Sequence, residues 1–221
     1  MATRFSQGPV FLAGDAAHRV TPRGGTGLNV AFADGHDIGW KLSWVLHGWA
    51  PEALLDTYEA ERRPAVQHNV DRSADPVGAR RPTTHEVQVD IGGRVKHVWV
   101  DLGVSTLDLV SDGLTLLGPD GNSDREVEAP AHGGPPVTSV GLDPLATRAL
   151  GLGAHGAALL RPDGVPVATW STPPSRALVG MAASSLLAHD TPLLPTTPGS
   201  PTTAETRRPT VRHRSRERMP A

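Results

Sequence analysis

Residues 10–29 read Val-Phe-Leu-Ala-Gly-Asp-Ala-Ala-His-Arg-Val-Thr-Pro-Arg-Gly-Gly-Thr-Gly-Leu-Asn, and this stretch decides the fold class. Val10 to Ala13 is a continuous apolar run that stops at Gly14. Such a run predicts a strand buried on both faces, as in a parallel sheet. Asp15 then falls just past the strand's carboxyl end, where open α/β sheets place ligand contacts. Pro22, Gly24, Gly25 and Gly27 make a loop that opens into a helical pattern near Leu28. Glycines before a helix start let backbone N–H groups approach a ligand, and the helix dipole favours negative charge there. The stretch therefore offers a carboxylate to hydroxyl groups and a set of amides to an electron-rich ring or an anion.

Working outward, residues 28–48 carry a helix pattern. Ile38, Leu42, Val45, Leu46 and Trp49 recur at helical spacing and predict its apolar face. Gly35 and Gly39, each unfavourable by roughly 1 kcal/mol against Ala inside a helix, predict close approach to another element. Gly48 predicts a C-terminal cap. Pro51 and Glu52 suit the first turn of a second helix, which Arg62-Arg63-Pro64 closes or kinks. A third helical stretch spans about Ala65 to Ser73.

Gly14-Asp15-Ala16-Ala17-His18, Pro22, Gly24-Gly25-x-Gly27-Leu28-Asn29, Asp34, Asp37, Trp40-Lys41-Leu42 and Leu54-Leu55-Asp56-x-Tyr58-Glu59-x-Glu61-Arg62-Arg63-Pro64 together resemble the second flavin-binding motif of the class A FAD-dependent aromatic monooxygenases, the p-hydroxybenzoate, phenol and polyketide hydroxylases. The resemblance implies that Asp15 contacts the ribityl hydroxyls and that Gly27, Leu28 and Asn29 lie against the pyrimidine edge of the flavin. Gly14, Ala16, Pro22 and Gly25 complete the implied FAD-binding set. No catalytic side chain and no metal ligand is implied, and His18 is structural in this family.

The resemblance also sets what is missing. The family holds the FAD pyrophosphate on a Gly-x-Gly-x-x-Gly loop after a first strand. Gly151-x-Gly153-x-x-Gly156 has the letters, but neither the strand–helix context nor the acidic residue further on supports it. Residues 1–75 thus resemble the C-terminal part of an FAD-binding, Rossmann-like domain. Residues 76–94, rich in Pro, Gly, Arg and Thr, form a linker. From there short apolar runs replace the helical pattern: Val98-Trp99-Val100, Leu114–Leu117 and Ala157–Leu160. Pro119-Asp120-Gly121 and Pro162-Asp163-Gly164 are turns, the second closing a hairpin. Residues 95–190, ending in a short helix at 177–189, resemble the thioredoxin-like C-terminal domain of the larger hydroxylases. Residues 191–221 contain six Pro, six Arg and seven Thr, too little apolar surface to offset ordering entropy, which predicts a disordered tail.

Composition bounds the function. The chain has 221 residues and a formal net charge of -2, so no global charge argues for nucleic acid or an anionic membrane surface. It has no cysteine, which excludes disulfides, thiolate metal sites and a redox role for the thioredoxin-like block, and fits a reducing, cytoplasmic setting. No apolar run is long enough to span a membrane. The ten histidines form no i, i+4 pair with a supporting carboxylate.

The expected class is therefore α/β. The function that the resemblance implies is the FAD-binding portion of a monooxygenase hydroxylating an aromatic or polyketide substrate with NAD(P)H and O₂. The alternative is an inactive remnant, or an accessory subunit, needing an N-terminal hydroxylase chain as partner; a homodimer is the other expected assembly. The first segment is expected to be poorly stable alone, because its parallel-sheet neighbours come from elsewhere.

Overall fold

The computed structural model describes residues 1–21, 26–75, 93–120 and 133–188. The linker at 76–92, Pro22, Gly25, the turn at Gly121 and the tail at 191–221 lie outside the described residues. The expected α/β character is present as helices packed on a mixed sheet.

The apolar run does not make a buried parallel strand. Ser6–Gln7 (β1) and Val10–Phe11 (β2) form a two-stranded antiparallel hairpin, with Gln7 opposite Val10. Val10 is 59% exposed. The reason is local. A run of four apolar residues fits any strand that is covered somewhere, and here only one face is covered. Phe11 packs edge-on to Tyr58, ring centroids 5.8 Å apart. The Tyr58 hydroxyl donates to the Leu12 carbonyl at 2.8 Å. Phe5, fully buried, sits beneath the hairpin with Ala17, Val30, Tyr58 and Val66.

Helix α1 runs Gly27–Leu46. Its end is a Schellman cap: Gly48, at φ 70°, donates to Val45, and Trp49 donates to Trp44 at 2.8 Å. The expected apolar face is wrong in part. Leu46 is 83% exposed, while the buried stripe is Val30, Asp34, Asp37, Trp40, Lys41 and Trp44. Apolar periodicity missed it because three of those residues are charged. A 3₁₀ turn at Glu52–Asp56 precedes helix α2, Thr57–Ala74, which continues through Pro64. Pro64 neither closes the helix nor separates a third one. It stands in the second turn, where the chain before it is already helical and only one backbone bond is lost.

The remainder is built on a four-stranded sheet. β3 (Trp99–Asp101) and β4 (Val104–Ser105) form a separate hairpin. β5 (Leu114–Pro119) and β6 (Val137–Leu142) pair in parallel. Helix α3 (Pro144–Ala149), capped by Asp143, leads to β7 (Ala157–Leu160), antiparallel to β5. β8 (Pro166–Trp170) returns across the expected hairpin, and helix α4 (Arg176–Leu187) follows. The sheet order is β6-β5-β7-β8.

Alternation along β5 and β7 divides the core. Leu114, Leu116, Ala157 and Leu159 face Trp40, Trp44 and Leu54 of the first segment together with Val179, Ala183 and Leu186 of α4. Leu117, Ala158 and Leu160 face Leu142 and Ala146 on the other side. Trp44 Nε1 also donates to the Asp112 carbonyl at 2.8 Å. One apolar cluster thus joins α1 to the sheet.

Candidate functional site

Gly14, Asp15 and Ala16 form a single 3₁₀ turn. Gly14 has φ 57°, and a Cβ there would stand 3.1 Å from the Cβ of Ala31 in α1. Both conditions demand glycine, for backbone conformation and for close approach. Asp15 and Ala16 are exposed, as are Leu28 and Asn29 in the first turn of α1. Among the described residues no side chain caps that helix start: Thr26 occupies the cap position without bonding a backbone amide. Its hydroxyl is buried and unpaired among the described residues. The first-turn amides of α1 therefore keep their donor capacity.

What fixes the turn against the helix is Asp34, which sequence reasoning placed in the motif without a role. Asp34 is fully buried. Its Oδ2 accepts the Gly14 N–H at 3.1 Å and lies 2.6 Å from His18 Nε2; its Oδ1 accepts Arg62 Nε at 2.8 Å. One carboxylate thus holds the loop, α1 and α2 together. His18 enters this contact through Nε2, and its Nδ1 is buried without a partner among the described residues. Glu59 does similar work at the chain start. It accepts the Phe5 N–H at 2.8 Å and pairs with Arg63, and these contacts hold its carboxyl below the usual range. Thr21 Oγ1 donates to the Ser73 carbonyl at 2.7 Å, tying the loop's far side to α2.

A second charged cluster joins the first segment to the sheet. Lys41 Nζ donates to Asp37 at 2.7 Å and to Glu61 at 2.9 Å; Arg161 pairs with Glu61 at 2.7 Å and with Asp163. The carboxylates of Asp37, Glu61 and Asp163 come within 4.8 Å of one another, with two cations already between them. Burial pushes Asp37 up to about 6, with Glu61 and Asp163 adding to the rise against Lys41. Glu61 and Asp163 move the other way. Burial opposes their ionisation, but Arg161 and Lys41 outweigh it. The helical spacing 30, 34, 37, 41, 44 was the available signal for both clusters: charges sharing a stripe with Val30 and Trp44.

Gly35 and Gly39 do not mark close approach within this chain. A Cβ on either would meet nothing within 4 Å. Both line a cleft of about 500 Å³ between α1 and the loops at 107–112 and 162–164. Gly151-x-Gly153-x-x-Gly156 joins helix α3 to strand β7, the reverse of a strand–helix phosphate loop, and a Cβ on Gly156 would strike the Leu152 carbonyl.

Residues 1–73 match the model of a family described as FAD binding domain. The likeness to an FAD-binding domain lies in these first 73 residues. The FAD-binding segment's relatives are polyketide and aromatic hydroxylases. Tetracenomycin B2 monooxygenase-dioxygenase of Streptomyces olivaceus is 38% identical over 213 residues, covering 74% of this chain and 40% of the relative. Aklavinone 12-hydroxylase RdmE of Streptomyces purpurascens is 35% identical over 225 residues, covering 78% and 41%. Among solved structures, aklavinone-11 hydroxylase in a ternary complex with FAD and aklavinone superposes with TM-score 0.68 at 29% identity, covering 85% of this chain and 45% of that one. The chain thus corresponds to the C-terminal portion of such hydroxylases and spans less than half their length.

The described residues fit FAD. An exposed carboxylate at Asp15 sits on a turn pressed against α1, and α1 begins with uncapped amides and the orphaned Thr26 hydroxyl. Among the described residues, no glycine loop joins a strand to a helix in the way a pyrophosphate would need. Among the described residues, no helix is long and apolar enough to cross a membrane.

Proposed function

We propose that this chain is the FAD-binding portion of a flavin-dependent monooxygenase that hydroxylates an aromatic or polyketide substrate, with NAD(P)H as reductant and O₂ as oxygen source. The observation that carries this reading is the Asp15 turn, locked by Asp34 against the uncapped start of α1. When bound, the flavin supplies redox and oxygen-transfer chemistry, and the protein supplies orientation and electrostatics. Asp15 accepts hydrogen bonds from ribityl hydroxyls. Gly14 and Ala16 set the turn that presents it. The amides of Gly27, Leu28 and Asn29 donate toward the electron-rich edge of the ring and stabilise negative charge there. The resemblance assigns Pro22 and Gly25 to the same cofactor-binding set. No side chain of this chain serves as nucleophile or proton donor.

Residues 95–190 act as a thioredoxin-like packing module without redox chemistry. Support comes from one parallel and two antiparallel pairings in the order β6-β5-β7-β8, followed by α4. The absence of cysteine accords with a cytoplasmic location.

The second reading is a remnant or accessory subunit that is inactive alone. It is favoured by the Gly151–Gly156 stretch having the wrong topology for a pyrophosphate loop. Both readings are tested together by producing this chain by itself and with the part of the S. olivaceus relative that precedes the matched region. Alone, it is expected to purify colourless and to leave NADPH unoxidised in the presence of a phenol. The pair is expected to bind stoichiometric FAD, with affinity at least tenfold weaker in Asp15→Asn. A colourless pair, or an Asp15→Asn pair with unchanged affinity, overturns the flavin assignment.

A further inference from the structure

Gly35 and Gly39 stand one turn apart on α1 and share a face. Glycine is among the poorest residues for a helix interior. Neither has the positive φ that would require it, and a Cβ on either would meet nothing within 4 Å, so neither serves close packing. Their effect is to keep open the cleft between α1 and the loops at 107–112 and 162–164. Its volume of about 500 Å³ is that of a small-molecule site. Leu107 and Val110 give it apolar walls, and Trp40 adds an aromatic ring. Trp40 is 6% exposed, yet its Nε1 has no hydrogen-bond partner among the described residues. A buried indole N–H ordinarily has an acceptor. Arg94 and Asp112, both exposed, line the same cleft and offset each other in charge. Asp163 lines it too, but its carboxylate is paired with Arg161.

We infer that this cleft is a further small-molecule site, for a flat, uncharged, fused-ring aromatic with hydroxyl or carbonyl groups on its edge. The strip at Gly35 and Gly39 has no side chains, so a flat ring can lie against the helix backbone. Leu107 and Val110 bury the ring. A carbonyl on its edge accepts the Trp40 N–H that the fold leaves unpaired. Arg94 donates and Asp112 accepts, which suits a molecule carrying both kinds of group and no net charge. Gly35 lies about 12 Å along α1 from Gly27, at 1.5 Å per residue. The site is therefore separate from the first-turn amides, and the inference goes beyond the flavin reading.

The test titrates danthron, a dihydroxyanthraquinone, into the full chain without FAD. The readouts are tryptophan fluorescence and the five indole N–H signals in NMR spectra. One saturable site is expected, with the Trp40 signal moving furthest. Gly39→Leu places a side chain in the cleft and should weaken binding at least tenfold. Leu is the better helix former, so the melting temperature should not fall. Arg94→Ala should weaken binding severalfold. Gly180→Leu, the same change on α4 where a Cβ also meets nothing within 4 Å, should bind like the wild type. Absence of saturable binding, wild-type affinity in Gly39→Leu, or a Trp40 signal that stays in place would overturn the site. Tighter binding of adenosine than of danthron would overturn the ligand class.

Discussion

Replacing Asp37 with Asn removes the excess negative charge from a buried cluster of three carboxylates and two cations. Asp37 is 4% exposed, and its ordinary value of 3.8 is pushed to about 6, first by burial and then by Glu61 and Asp163 against Lys41. A folded-state value above the unfolded one means the folded protein binds the proton more tightly. The stabilisation is present below about pH 4 and is lost as pH rises toward 6, then stays lost. A shift of about 2 units corresponds to about 3 kcal/mol at 1.36 kcal/mol per unit. Asn imitates the protonated carboxyl and still offers Lys41 an acceptor oxygen, while Lys41 keeps Glu61 at 2.9 Å. Asp37→Asn should therefore match the wild type near pH 4 and exceed it by about 2–3 kcal/mol at pH 7, roughly 4–12 °C in melting temperature for a chain of this size. Glu61 and Asp163 are lowered rather than raised, and each loses a repelling neighbour when Asp37 becomes Asn. Thermal melts of the two proteins from pH 4 to 8 are the assay. A difference independent of pH, or a variant less stable at pH 7, would refute the account of the cluster as over-charged.

Asp34→Ala strands Arg62, His18 and the Gly14 amide in a buried site and should cost about 3–5 kcal/mol; urea unfolding reads this directly. Gly14→Ala meets both positive φ and the Ala31 side chain at 3.1 Å, so a loss of about 1–3 kcal/mol is expected, and a neutral result would mean the turn is free to move. Tyr58→Phe leaves the Leu12 carbonyl without its 2.8 Å donor and should cost about 1–3 kcal/mol, with faster hydrogen exchange at residues 10–13. In the wild-type chain, amides of Leu114–Leu117, paired with β6 throughout and with β7 from Thr115 on, should exchange far more slowly than those of Val10–Ala13; equal protection would contradict the hairpin described here.

The sequence by itself determined the family resemblance and part of the element list, without β1, β6 or helix α3. The Gly14–His18 and Gly27–Asn29 motifs, α1 to its Gly48 cap and the Pro162-Asp163-Gly164 hairpin were all legible, because turn glycines, caps and local periodicity act over a few residues. Tertiary structure decided the rest. Val10–Ala13 became one side of a hairpin because pairing depends on which strands are within reach, and apolarity alone does not encode that. The buried face of α1 was hidden because Asp34, Asp37 and Lys41 look like surface residues until Arg62, Glu61 and Arg161 arrive from other elements to neutralise them. Burial of charge is a property of the partners' positions, and those positions exist only in the folded chain.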